Sequence, residues 1–147
     1  GDVFGWVAPG DPRLAASRAH RDGRLSHIRN GLYGEMYVAA MISAAFIYDD
    51  PRTVVETGAR VIPRASRLGE AVHFALTLPS LESTWEGAVD QLYARYGRYH
   101  WVHTINNAAP IAVAAAPSDT SIFSGSNSTY LLIGGAVLAF MMFGGKK

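Results

Sequence analysis

The chain has no cysteine, which excludes a disulfide framework and any thiolate metal site and leaves the redox compartment open. No run alternates polar and apolar residues with a period of two, so no sheet is expected. A basic stripe is missing as well. The formal charge is +1, with both signs interspersed along the first hundred residues, and nothing argues for a nucleic-acid partner. Charge itself is absent between Asp119 and Lys146. No N-terminal signal-peptide pattern is seen, and processing or truncation is one reading of the opening residues.

What is present is a chain of 147 residues, 49% of them hydrophobic. That length argues for one domain, able to bury roughly two thirds of its unfolded surface. Seven prolines and fifteen glycines fall where punctuation would, which argues against disorder. The loss of charge after Asp119 divides the sequence into a globular body, 1–116, a linker, 117–128, and an apolar tail, 129–147.

The body reads as helices. Asp11-Pro12 is a helix start, with a carboxylate to cap free N–H groups and a proline where its missing N–H is harmless; the helix should reach Asp22 and stop at Gly23. Asp50-Pro51 repeats the device for a helix closing before Pro63. Leu68, Val72, Ala75 and Leu76 mark an amphipathic helix ended by Pro79. Ser83-Thr84-Trp85-Glu86 has capping-box spacing, and behind it Trp85, Ala88, Val89, Leu92 and Tyr96 fall at helical intervals up to Gly97. Leu32 to Tyr48 is apolar on all sides except at Glu35 and Ser43. A helix of that kind is buried in something, here a core walled by amphipathic neighbours rather than a membrane. The fold class is all-α, an orthogonal helical bundle with an added C-terminal apolar helix.

Three ordered passages go further. Phe4-Gly5-Trp6-Val7-Ala8-Pro9-Gly10-Asp11-Pro12 is followed by Leu25-Ser26-His27 and by Asn30-Gly31-Leu32-Tyr33-Gly34-Glu35-Met36-Tyr37-Val38-Ala39-Ala40-Met41. Ile62-Pro63-Arg64-Ala65-Ser66-Arg67-Leu68 comes next, and His100-Trp101-Val102-His103-Thr104-Ile105-Asn106-Asn107-Ala108-Ala109 closes the set. In this order and spacing the sequence resembles the ADP-ribosylglycohydrolase family over about residues 2–113, fading after Ala109.

The resemblance implies an all-α fold, hydrolysis of a glycosidic bond to ADP-ribose, and a pair of magnesium ions held by carboxylates. Hard divalent cations want oxygen ligands, and two of them can orient ribose hydroxyls and a water. The family draws these acids from an early Asp-Asp motif and a late Gly-x-Asp-Thr-Asp motif. Neither has a counterpart here: the opening residues match a position well inside the family, and Ser118-Asp119-Thr120-Ser121 supplies only one acid. Asp49-Asp50, the only adjacent acidic pair, is placed for helix capping. The expectation is a domain without bound metal in this chain, not catalytically competent alone.

The candidate substrate-binding residues, by resemblance, are Phe4, His27, His103, Asn106 and Asn107, with ADP-ribose as the ligand. Each has a plainer alternative. Phe4 and Trp6 suit an adenine but also a core. His27 suits a pocket or a backbone contact ahead of the buried helix. Asn106 and Asn107, in an apolar helix, need partners when buried, whether a substrate hydroxyl or another helix's backbone. His100 and His103 are three apart, a spacing that permits a metal on one helix face, but no acid or cysteine joins them and no metal is assigned. Arg64 and Arg67 suit a diphosphate or plain solvation.

The tail supplies a competing reading. Thr129 to Gly145 holds seventeen uncharged residues, about 25 Å of helix at roughly 1.5 Å per residue, slightly short of a typical hydrocarbon core. Tyr130 and Lys146-Lys147 suit the interfaces. A C-terminal membrane anchor or contact with a membrane protein complex is one expectation, and a terminal core helix the other. On the first, the chain is a membrane-associated structural subunit whose helical body is a docking platform.

Overall fold

The structure, a computed structural model, describes residues 1–115. Seven α-helices form among them: α1 (Asp2–Trp6), α2 (Pro12–Gly23), α3 (Asn30–Ala44), α4 (Pro51–Ala59), α5 (Arg67–Thr77), α6 (Trp85–Tyr96) and α7 (Thr104–Ala114), with a short 3-10 turn at Leu78–Ser80. No strand occurs among the described residues. The linker and the apolar tail lie outside them.

Local chemistry sets the helix starts. Asp11 Oδ1 accepts the Leu14 N–H at 2.9 Å, and Asp50 Oδ2 accepts the Thr53 N–H at 2.8 Å, each ahead of a proline at the first helical position. Ser66 Oγ accepts the Gly69 N–H at 3.0 Å and opens α5. At α6 the cap is Thr84, not Ser83: Thr84 Oγ1 accepts the Gly87 N–H at 3.1 Å, one residue later than the capping-box spacing suggests. Each such bond satisfies an N–H that a helix end leaves without an intrahelical partner.

α3 is the axis of the body. It packs against α1, α2, α4, α5 and α7, so the near-absence of a polar face in its sequence has a physical reason. Ser43, one of its two polar exceptions, is fully buried and donates its hydroxyl hydrogen to the Ala8 carbonyl. The helix is shorter than its apolar run. It ends at Ala44, and Phe46, Ile47 and Tyr48 beyond it are exposed. No described helix is long and apolar enough to cross a membrane.

The larger core cluster joins Tyr37 and Met41 of α3 to Val54 and Val55 of α4, Leu68, Val72 and Leu76 of α5, Leu92 of α6 and Ile105 of α7. A smaller one, of Ala8, Ala15, Ala19 and Ala39, seals α1 and α2 against α3, with Phe4 half-buried on it. Small residues let α4 come close. A Cβ at Gly58 would lie 2.5 Å from Met41 Cγ and 3.0 Å from the Tyr37 ring. Burial pushes the Tyr37 phenol well above its ordinary value, and its hydroxyl has no hydrogen-bond partner among the described residues.

Candidate functional site

The N-termini of α3, α5 and α7 meet at one end of the body, through a closed circuit of contacts. Asn30, the first residue of α3, accepts the Leu68 N–H of α5 on its Oδ1 at 3.1 Å. Arg67, beside Leu68, donates to the Tyr99 hydroxyl at 3.3 Å. The Tyr99 ring stacks on His103 with centroids 4.5 Å apart and planes 19° from parallel. His103 then caps α7, its Nδ1 accepting the Ile105 N–H at 3.2 Å. Thr104 closes the circuit against α3: a Cβ on Gly34 would lie 2.2 Å from Thr104 Cγ2, so only glycine allows α3 and α7 this approach.

Two loops rim this end. In the first, Ser26 Oγ and His27 Nδ1 share a 2.7 Å hydrogen bond, and the His27 ring lies over Gly31, whose Cβ would meet its Cδ2 at 3.1 Å. Leu25 and Ile28 beside it are 83% and 80% exposed, more than a packing role explains. Arg29 joins this loop to α3 with φ +50°, a left-handed conformation that a non-glycine residue holds only at a cost of about 1–3 kcal/mol. The second loop carries Tyr99 to His103. Asn106, 8% exposed, donates from Nδ2 to the carbonyls of Tyr99 at 2.8 Å and His100 at 3.3 Å and ties the loop to α7.

Positive charge predominates at this end, with Glu70 in the first turn of α5 as an acidic exception. Arg98, with its guanidinium 5.5 Å from the Tyr99 ring centroid, does most to hold the Tyr99 phenol below its ordinary value; slight burial opposes it, and Arg67 adds to it. Three helix N-termini contribute partial positive charge. Because His103 Nδ1 is an acceptor, its neutral ring carries the proton on Nε2 and presents an N–H donor. The arrangement offers cations and donors, which suit hydroxyls and phosphate oxygens. Glu70 is exposed and makes no side-chain hydrogen bond to the circuit.

The candidate residues therefore separate. His27 and His103 lie on the circuit or its rim, and Asn107 follows Thr104 by three residues on the same helix face, half-buried and with no side-chain hydrogen bond to another described residue. Asn106 is committed to two backbone carbonyls, which belong to the loop before its own helix and not to another helix as expected. Phe4 belongs to the alanine cluster under α1 and α2, whereas Trp6 is 60% exposed and not a core residue. His100 sits in the loop and His103 at the cap, so the two do not share a helix face; His100 Nδ1 accepts the Val102 N–H at 3.3 Å. Arg64 is exposed, while Arg67 bonds Tyr99. Arg29, Asn30 and Tyr99 were missed by sequence reasoning. Asn30 had a signal, since an amide opening a buried helix needs partners, but Tyr99 had none.

A dimetal centre does not fit the described residues. No group of three or more His, Asp or Glu side chains among them is placed to hold a metal ion. Asp50 is engaged by the Thr53 N–H and hydroxyl. Burial opposes ionisation there, but those bonds, the Arg52 N–H and the Arg52 charge outweigh it and hold the carboxyl below its ordinary value.

No curated protein and no solved structure matches the chain. A family model does, over residues 3–145, and it runs past Ala109, where the recognisable motifs end, through the Ser/Gly/Asn-rich interval and the apolar run. With the all-helical fold and the motif order, that match over nearly the whole length places this protein in the ADP-ribosylglycohydrolase family.

Proposed function

We propose that this chain is an ADP-ribose-binding part of an ADP-ribosylglycohydrolase fold that does not hydrolyse its ligand alone. The circuit at the N-termini of α3, α5 and α7 carries the reading. Its cations and donors suit a diphosphate and ribose hydroxyls, and the described residues hold no cluster of carboxylates for a pair of magnesium ions. The purified full chain should give a calorimetric signal with ADP-ribose, weakened by His27→Ala and Asn107→Ala. It should release no ADP-ribose from a modified protein, with or without magnesium. A polypeptide bringing the paired carboxylate motifs should restore turnover. Robust magnesium-dependent turnover by the chain alone would refute the catalytic half of the proposal. Silence at millimolar ADP-ribose would refute the binding half and favour a structural role.

That structural role is the second reading, supported by the uncharged run from Thr129 to Gly145 between Tyr130 and Lys146-Lys147. On it, the tail anchors the chain in a membrane complex and the helical body is a docking platform. Its backbone would have to bond internally and so form a helix despite its glycines. An aspartate at Val137 costs about 2.5–3.5 kcal/mol on insertion scales and should shift the chain into the soluble fraction on carbonate extraction. A wild-type chain already wholly soluble, folded and monodisperse without detergent ends this reading.

A further inference from the structure

A groove of about 550 Å³ runs beside α2, away from the circuit described above, and none of its lining residues belongs to that circuit. It is lined by Arg13, Ser17, His20 and Arg21 of α2, by Arg24 at that helix's C-terminal cap and by Arg60 at the C-terminal cap of α4. Arg13, Ser17, Arg21 and Arg24 recur at i, i+4, i+8 and i+11, which a helical period aligns. Eleven residues of helix spread that row over about 16 Å. Ala16, Met36 and Val61 supply the apolar part of the lining.

Among the described residues no Asp or Glu lines the groove. Glu56, one turn before Arg60, is paired with Arg52 at 2.9 Å. None of the four arginines makes a hydrogen bond or ion pair with another described residue. By contrast Arg18, on the same helix but outside the groove, donates to the Val7 carbonyl at 2.8 Å. Four exposed guanidinium groups lining one groove, with no acid among its described lining residues, repel one another, and their planar forks match phosphate oxygens. The volume lies within the range of about 300–1,000 Å³ typical of small-ligand sites.

From this arrangement we infer that the groove binds a linear phosphate chain, the oligophosphate of a nucleotide or an inorganic polyphosphate. Charge density favours phosphate over an acidic peptide. An extended peptide advances about 3.3 Å per residue and turns alternate side chains away, so a 16 Å row would meet only two or three carboxylates. A phosphate chain places a charge on every unit and offers oxygens to Arg60 and to the α2 row at once. Met36 and Val61 give a nucleoside, where one is attached, an apolar surface beside the phosphates.

Isothermal calorimetry on the full chain with sodium tripolyphosphate at low salt tests the inference. Binding is expected, and the Arg24→Ala/Arg60→Ala variant should weaken it by roughly tenfold or more, since it removes two guanidinium groups able to make charge-assisted hydrogen bonds to phosphate. The variant's unfolding midpoint should match wild type, because neither guanidinium has a hydrogen-bond or ion-pair partner among the described residues. Arg95→Ala, on α6 outside the groove, should leave affinity unchanged. Tighter binding of a nucleoside triphosphate than of tripolyphosphate assigns the nucleoside to Met36 and Val61, and equal binding assigns recognition to the phosphates; both support the site. His27→Ala should not alter tripolyphosphate binding, which separates this site from the ADP-ribose proposal. No binding by wild type overturns the inference, as do an equal loss in Arg95→Ala and tighter binding of oligoglutamate or single-stranded DNA of equal charge.

Discussion

The junction of α3, α5 and α7 and the groove beside α2 are both rich in polar and positive side chains, yet they use them in opposite ways. At the junction Asn30, Arg67, His103 and Asn106 are bonded to the protein itself. In the groove Arg13, Arg21, Arg24 and Arg60 make no hydrogen bond or ion pair with another described residue. Membership in a family motif therefore does not mean that a polar side chain is free for a ligand. Of the motif residues at the junction, His27 and His103 through Nε2 and Asn107 through its amide keep hydrogen-bonding capacity, and the larger reserve lies on a helix face outside the site.

This contrast can be broken by mutation. The largest effect is expected at Gly34, where a valine side chain would be driven into Thr104. Overpacking of this kind costs about 3 kcal/mol, read as a lower denaturant midpoint, and Thr104→Ala should recover part of it. If Gly34→Val leaves stability unchanged, α3 and α7 are not held at the distance described. Next is Asn106→Ala, which removes the donor from the Tyr99 and His100 carbonyls. A loss of about 2 kcal/mol is expected, with faster proteolysis of the loop before α7; a neutral result would free Asn106 for a ligand role and blur the distinction between the regions. The smallest effect belongs to the groove. Arg21→Ala should shift stability by less than about 0.5 kcal/mol, and a larger loss would show that this guanidinium supports the fold.

How much of this was legible in the sequence differs from feature to feature. Asp11-Pro12 and Asp50-Pro51 announced α2 and α4 because capping and proline tolerance are local effects, settled within four residues. The burial of Leu68, Val72, Ala75 and Leu76 followed from helical period alone. The end of α3 did not, because hydropathy records how apolar a side chain is and not where a helix stops; hence the misplaced Phe46, Ile47 and Tyr48. Asn106 was recognisable as an amide in need of partners, but those partners sit on a loop whose path depends on the Tyr99–His103 stack and the Arg67 contact. The groove was hidden because charge signs alternate along the chain, while the helix gathers Arg13, Arg21 and Arg24 on one side and Arg60 arrives from another helix 36 residues after Arg24.

The enclosure of α3 by five helices has a consequence for how the protein opens. A helix on the surface can lift away with the loss of one interface, so its amides exchange with solvent through small local fluctuations. α3 has no such easy route, since five helices pack against it and must be displaced first. Its amides, from Tyr37 to Met41 above all, should exchange hydrogen only when the whole body unfolds, and should report its global stability. Those on the outer face of α2 should exchange earlier, at a lower opening free energy. Deuterium uptake followed peptide by peptide would then rank α3 last.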